Sequence, residues 1–204
     1  FYRVSLTAGK LNLVRKADGQ TKVDWLKFEN TTDGGDSYDY SPSENGQLTI
    51  NDSFEFVEAK QADMLSQLKV VTTVAAAPDL AHATQLTEKI TIETLIELRH
   101  GSDIIQVTHT VLNEVKDHRV RVVFAGENAD GFSFGDQGYS LQQRAINNPH
   151  LANWKDEGFA EAPQPIFPLE RFVSVNEVQG NVTLLTKGLK EYEATAESLA
   201  LTLY

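Results

Sequence analysis

Lys89-Ile90-Thr91-Ile92-Glu93-Thr94-Leu95-Ile96-Glu97-Leu98 decides the fold of this chain. Ile90, Ile92, Ile96 and Leu98 fall on one side of an extended backbone, and Thr91, Glu93, Leu95 and Glu97 on the other. A period of two marks a half-buried strand; a helix would repeat its apolar residues at three and four. After His100-Gly101 the pattern resumes, with Ile105, Val107, His109 and Val111 set against Ile104, Gln106, Thr108 and Thr110. The two stretches read as one long hairpin turning through Gly101.

The same alternation recurs further out. Val120, Val122 and Phe124 alternate with Arg119, Arg121 and Val123, and Leu199, Leu201 and Leu203 with Ala200, Thr202 and Tyr204. Turn signals stand between strands at Asp18-Gly19, Gln179-Gly180-Asn181 and Lys187-Gly188. Ser53–Leu68 has room for a short helix, but Phe54 and Phe56 alternate as a strand does. From Gly126 to Pro168, glycines, prolines and asparagines with weak periodicity predict long ordered loops over one end of the sheets. The strands around 86–98 and 104–115 are longer than usual, which favours large stacked sheets over a small barrel. The expectation is an all-β protein: a large, supersandwich-like antiparallel β-sandwich, with residues 1–204 forming a single domain.

Composition narrows the function. The 204 residues carry 18 Lys+Arg against 29 Asp+Glu, a net charge of −11. Such a surface repels phosphate backbones, and no basic stripe with interleaved aromatics is present, which argues against nucleic-acid binding. No apolar run approaches the roughly 20 residues of a membrane span. Cysteine is absent, which tilts the expectation toward a reducing, cytoplasmic compartment. The chain starts at Phe1 with no Met and no targeting signal, and so reads as a fragment of something longer or a processed product.

Catalytic signatures are sparse. His82, His100, His109, His118 and His150 lack the spacing of metal ligands, and mid-strand His109 suits a hydrogen-bonded core position. There is no thiol nucleophile. Asp33, Asp36, Asp39, Asp130 and Asp136 offer carboxylates for glycoside chemistry, but equally read as turn residues. The better lead is aromatic rings beside planar hydrogen-bonding groups, the furniture of a sugar site: Tyr38, Tyr40, Tyr139, Arg144 and Trp154. Trp154 serves equally well as a loop anchor. Gly34-Gly35-Asp36-Ser37-Tyr38-Asp39-Tyr40-Ser41-Pro42 is the densest such stretch, a surface loop of hydrogen-bonding side chains between glycines and a proline.

That loop, preceded by Phe28-Glu29-Asn30, resembles the opening of the β region of bacterial family 38 glycoside hydrolases, the α-mannosidase and mannosylglycerate hydrolase group. Lys116-Asp117-His118-Arg119-Val120-Arg121 resembles the family's K-D-H-R-L-R strand, and Gly138 through Arg144 a stretch ending in a loop arginine. Pro165-Ile166-Phe167-Pro168, Phe172-Val173-Ser174-Val175 and Leu184 through Glu193 are similar to later family segments, in the same order. The resemblance implies a C-terminal accessory domain of a larger glycosidase. The parent's N-terminal barrel would hold the catalytic aspartate and a divalent metal, usually zinc; no catalytic residue and no metal site is expected in this chain. By position in the motifs, Tyr38 and Arg144 would bind substrate, while Asp36 and Asp39 would brace the loop. The implied partners are the catalytic domain of the same polypeptide and a mannose-containing carbohydrate. In the family the chain runs on past the strand matching Leu199–Tyr204. A sheet edge left open there would invite pairing with a second copy, so a homo-oligomer is a further expectation. A stand-alone carbohydrate-binding or adhesive module without catalysis is the alternative reading.

Overall fold

A computed structural model describes residues 1–35 and 40–204. The chain divides into two compact units. Among the described residues one takes in 1–35 and Ser41–Arg119, and the other takes in Tyr40 and Val120–Tyr204.

The first unit opens with β1 (Tyr2–Thr7), β2 (Lys10–Arg15) and the two-residue β3 (Thr21–Lys22), a small antiparallel sheet in that order. Gly19, at φ 75°, makes the turn from β2 to β3, as Asp18-Gly19 predicts. β4 (Leu26–Thr32) pairs with the short β5 (Thr49–Ile50). The largest sheet of the unit runs in sequence order through β6 (Glu55–Gln61), β7 (Leu65–Ala76), β8 (Glu88–Arg99) and β9 (Ile105–Leu112). β8 and β9 pair antiparallel from Thr91↔Leu112 to Leu98↔Ile105, and Gly101 between them adopts φ 75°. The predicted hairpin is therefore in place. Ser53–Leu68 is extended, with Phe54 buried and Phe56 exposed.

Alternation along β7 and β8 builds one face of the core. Val70, Thr72 and Val74 lie opposite Thr94, Ile92 and Ile90, and all six are buried. Phe28, from β4, is sealed from solvent and packs against the rings of Phe54 and His109. Each fully buried side chain of this size contributes roughly 1.5–3 kcal/mol relative to exposure. Two polar groups in this core are satisfied locally. The Thr72 hydroxyl donates to the Ser53 carbonyl at 2.6 Å, and Thr94 Oγ1 lies 3.0 Å from His109 Nδ1.

The second unit takes β10 (His118–Ala125) from Val120 onward, and β11 (Asn128–Asp136), β12 (Leu141–Ala145), β13 (Ile166–Pro168), β14 (Phe172–Glu177), β15 (Gly180–Leu185), β16 (Glu191–Ala194) and β17 (Ser198–Thr202) follow in order. They pair in two antiparallel runs, β12-β11-β14-β15 and β13-β16-β17-β10. Gly180 turns β14 into β15, where the sequence signalled it. Tyr192, Leu169, Val173, Leu199 and Val122 form the buried interior. Helix is confined, among the described residues, to a single 3-10 turn at Leu80–His82 and a four-residue α-helix, α1 (His150–Asn153).

Two expectations are corrected. The strands do not assemble into two large stacked sheets of a sandwich; the long ones share the single four-stranded sheet β6 to β9, and the others pair in separate antiparallel sheets. The reason lies at the edges. β6 is exposed at every position and β9 at every second one, so the sheet of long strands ends there within its unit. Nor is Gly126–Pro168 mainly loop, since β11 and β12 form a hairpin inside it. Apolar alternation missed β11 because its inward side chains are small or polar: Ser133 and Asp136 are buried, with Gly135 between them.

Candidate functional site

The sequence placed Arg144 at the end of a loop; it lies on β12, paired with Ser133 of β11. Its guanidinium carbon stands 4.9 Å from the Phe167 ring centroid and 6.0 Å from that of Tyr192. Nη1 donates to the Tyr192 hydroxyl at 3.2 Å, and the same hydroxyl lies 3.1 Å from Ser133 Oγ. Stacking on aromatic faces suits a planar, weakly hydrated cation. Tyr192 is fully buried, so its hydroxyl is a fixed point against which the guanidinium is aimed. A Cβ on Gly135 would lie 3.1 Å from Arg144 Nη1, from the Tyr192 ring and from its hydroxyl. Glycine there opens the space that the arginine and tyrosine fill.

Arg144 has no carboxylate partner among the described residues, unlike Arg15, Arg121 and Arg171, which pair with Asp18, Glu193 and Asp136. A guanidinium carries five N–H donors, and one is directed to Tyr192. The rest of its donor fork is half-exposed and pre-oriented, a geometry suited to vicinal hydroxyls or a carboxylate. Phe167 and Tyr192 were not singled out as site residues. Both lie within segments that carry the family resemblance, and that was the available signal.

Tyr38, Asp36 and Asp39 lie outside the described residues. Asp33, at the entrance to their loop, accepts on Oδ1 from the backbone N–H groups of Gly35 at 3.0 Å and Ser41 at 3.4 Å. Asp136 accepts from Gly138 N–H and from Arg171 Nε at 2.8 Å, and the Arg171 bond holds its carboxyl below the usual range. Asp130 is bound by Asn176 Nδ2 at 2.7 Å, which lowers its pKa in the same way. These two acids brace turns. Tyr139 is fully exposed, and half-buried Trp154, at the end of α1, has Lys155 Nζ 5.2 Å from its ring. Asp130, Asp136, Tyr139 and Trp154, which belong to the same unit, do not join the Arg144 cluster.

Among the described residues no set of three or more histidines and acids converges to hold a metal ion. His109 is held neutral by burial, its pKa lowered to about 4. His118 places Nδ1 2.8 Å from Asn30 Oδ1 and Nε2 3.0 Å from Asn113 Oδ1, and burial lowers its pKa as well. A shallow trough of about 260 Å³ on the β6–β9 sheet is lined by Glu58, Lys60, Lys69 and Glu93 among others; their ion pairs and lack of aromatic rings make it a poor sugar platform.

Strands paired antiparallel throughout, with a stacked arginine set between aromatic rings, define an all-β domain with a polar cluster on its second unit. The chain belongs to the glycosyl hydrolases family 38 C-terminal domain, whose family model matches residues 1–204. It is 33% identical over 114 residues to a protein of Halalkalibacterium halodurans assigned provisionally as a mannosylglycerate hydrolase; the match covers 56% of this chain and 12% of that protein. Its fold is that of part of an α-mannosidase from Enterococcus faecalis V583, with TM-score 0.84, 22% identity, all of this chain and 24% of the other. A second family 38 glycosyl hydrolase structure from Enterococcus faecalis gives TM-score 0.79 at 24% identity, again over all of this chain and 25% of the other. The chain thus spans about a quarter of the length of those solved proteins.

Proposed function

We propose that this chain is the accessory β domain of an α-mannosidase-like glycoside hydrolase, and that it lends Arg144 and Tyr38 to the sugar pocket of the parent enzyme. The parent supplies a catalytic barrel with its nucleophile and a divalent metal, zinc on the family resemblance, on polypeptide outside these residues. The substrate is a mannose-containing carbohydrate, and the setting is cytoplasmic. No helix among the described residues is long and apolar enough to cross a membrane.

The observation that carries this reading is Arg144. It is a cation in a strongly acidic chain with no acid partner among the described residues. Aromatic rings and a buried hydroxyl fix it, with donors left for a ligand. An arginine held only for stability would be expected to complete its bonds within the fold.

The test uses the full-length polypeptide with an aryl α-mannoside. Arg144→Met lowers kcat/KM by about ten- to a hundredfold, the loss expected when about 1–3 kcal/mol of hydrogen bonding to the bound sugar goes. Tyr38→Phe lowers it through the loss of one sugar hydrogen bond. The isolated 204-residue chain shows no turnover above blank, with or without zinc. Turnover by the isolated chain would refute the accessory role. Firm calorimetric binding of mannose by the isolated chain would favour a self-sufficient binding module.

A further inference from the structure

β9 ends one side of the sheet β6 to β9 and pairs, among the described residues, with β8 alone. In an antiparallel ladder half the backbone N–H and C=O groups of such a strand point away from its neighbour. The other edge strand is partly guarded. β6 carries Glu55, Glu58 and Lys60, and a bulge between Phe56 and Glu58 interrupts its register with β7. β9 has neither guard. Ile105–Leu112 holds no acid, lysine, arginine, proline or glycine, and its register with β8 runs unbroken along all 8 residues. In a chain of net charge −11 this is a long neutral seam. Two large apolar side chains stand exposed at its ends, Ile104 at 57% and Leu112 at 61%. Both share the outer, exposed face with Gln106, Thr108 and Thr110, and they lie at equal distances along the chain from Thr108.

We propose that β9 is a self-pairing edge: two copies of the polypeptide join their β9 strands antiparallel, about a two-fold axis through Thr108, into one continuous sheet. The register follows from geometry. A two-fold axis normal to a sheet leaves every side chain on its own face, so it passes through a residue and never between two. Centred on Thr108, it sets Ile104 against Leu112 of the second copy at both ends of the seam, which covers each exposed apolar side chain with another. Between them Gln106 meets Thr110 and Thr108 meets itself, polar pairs suited to the solvent face. On the inner face Ile105 meets Val111, and Val107 meets His109, so the half-buried row of β9 gains a cover. An axis on Val107 would set Ile104 against Thr110. One on His109 would set it against Glu114 and bring two histidines face to face. Only the Thr108 register joins the apolar ends. The association expected beside the last strand has no open edge to use, since β17 lies between β16 and β10.

The experiment is sedimentation equilibrium on the full-length polypeptide, with substitutions on the exposed face of β9. The wild type shows a monomer–dimer equilibrium. Thr108→Lys and Thr108→Glu each place two like charges face to face and raise the dimer dissociation constant at least about tenfold. Mixed in equal amounts the two variants associate again, because lysine then faces glutamate. That recovery is specific to an axis through Thr108. Leu112→Lys weakens the dimer from the end of the seam, and it carries the test should a Thr108 variant fail to fold. Hydrogen exchange at the β9 amides of the wild type slows as concentration rises through the dissociation constant. A wild type that stays monomeric at every concentration reached overturns the proposal; β9 amides protected in that monomer would mean that a strand from elsewhere in the polypeptide holds the edge. A dimer indifferent to all three substitutions forms through another surface and overturns it equally. So does a mixture of folded Thr108→Lys and Thr108→Glu proteins that remains monomeric.

Discussion

Tyr192 has its ring sealed from solvent and its hydroxyl between Ser133 and Arg144. Tyr192→Phe keeps the packing and removes the shared hydrogen-bonding group. The expected cost is about 1–2 kcal/mol in urea unfolding, because Ser133 Oγ is left buried with a weaker partner set. Gly135→Ala should cost a similar amount, about 1–2 kcal/mol, since a new methyl would press on a ring with no room to retreat. A Gly135→Ala protein as stable as wild type would mean that Arg144 alone gives way. At this scale the sequence was partly legible. Arg144 was marked by its chemistry and by its motif. The strand under it was invisible, because Ser133 and Gly135 face inward and neither registers as apolar. The aromatic residues that aim Arg144 lie 23 and 48 positions further along the chain, and no local pattern joins them.

The sheet from β6 to β9 shows what period-two reading does well and where it stops. Ile90, Ile92 and Ile96 are buried as their alternation predicts, and the register from Leu98↔Ile105 places the turn at His100-Gly101. Gly101→Ala should cost about 1 kcal/mol, because φ 75° strains any residue with a Cβ; thermal unfolding would read it as a lowered Tm. What alternation cannot say is which sheets form, since pairing partners are chosen by edges and not by faces. β6 illustrates this: Phe56 is 61% and Val57 45% exposed on a strand that buries nothing. Phe56→Lys should change stability by no more than about 0.5 kcal/mol. In the isolated chain it should also reduce concentration-dependent light scattering, since a charged edge resists strand addition. Equal scattering before and after would show that this edge takes no part in association.

For the molecule as a whole, acid is the informative variable. His109 lies against Phe28 and Thr94, and its folded pKa of about 4 is far below the ordinary histidine value because the charged form is poorly solvated there. As pH falls below about 6.5 the unfolded chain takes up a proton that the folded chain refuses. Stability therefore declines from pH 6.5 toward pH 4 and levels off below that, by at most about 3 kcal/mol from this group. His109→Gln should flatten that part of the curve in urea midpoints measured across the range. A curve with the same slope in both proteins would assign the acid sensitivity elsewhere. The all-β class and the family were both legible across the whole chain, because recurrent strand patterns and ordered motif segments run from end to end. The arrangement of the sheets was not, because it depends on the closing of edges that a linear pattern does not carry.

The glycine under Tyr192 also has a consequence for how this protein can diverge. Positions 135 and 192 share one volume, so they are free to drift only together. Relatives with a side chain at the first should carry something smaller than tyrosine at the second, and with it a differently aimed cation. An alignment scored for reciprocal size at those two columns would reveal which lineages have re-cut that corner of the domain, and their substrate preferences are the ones to compare first.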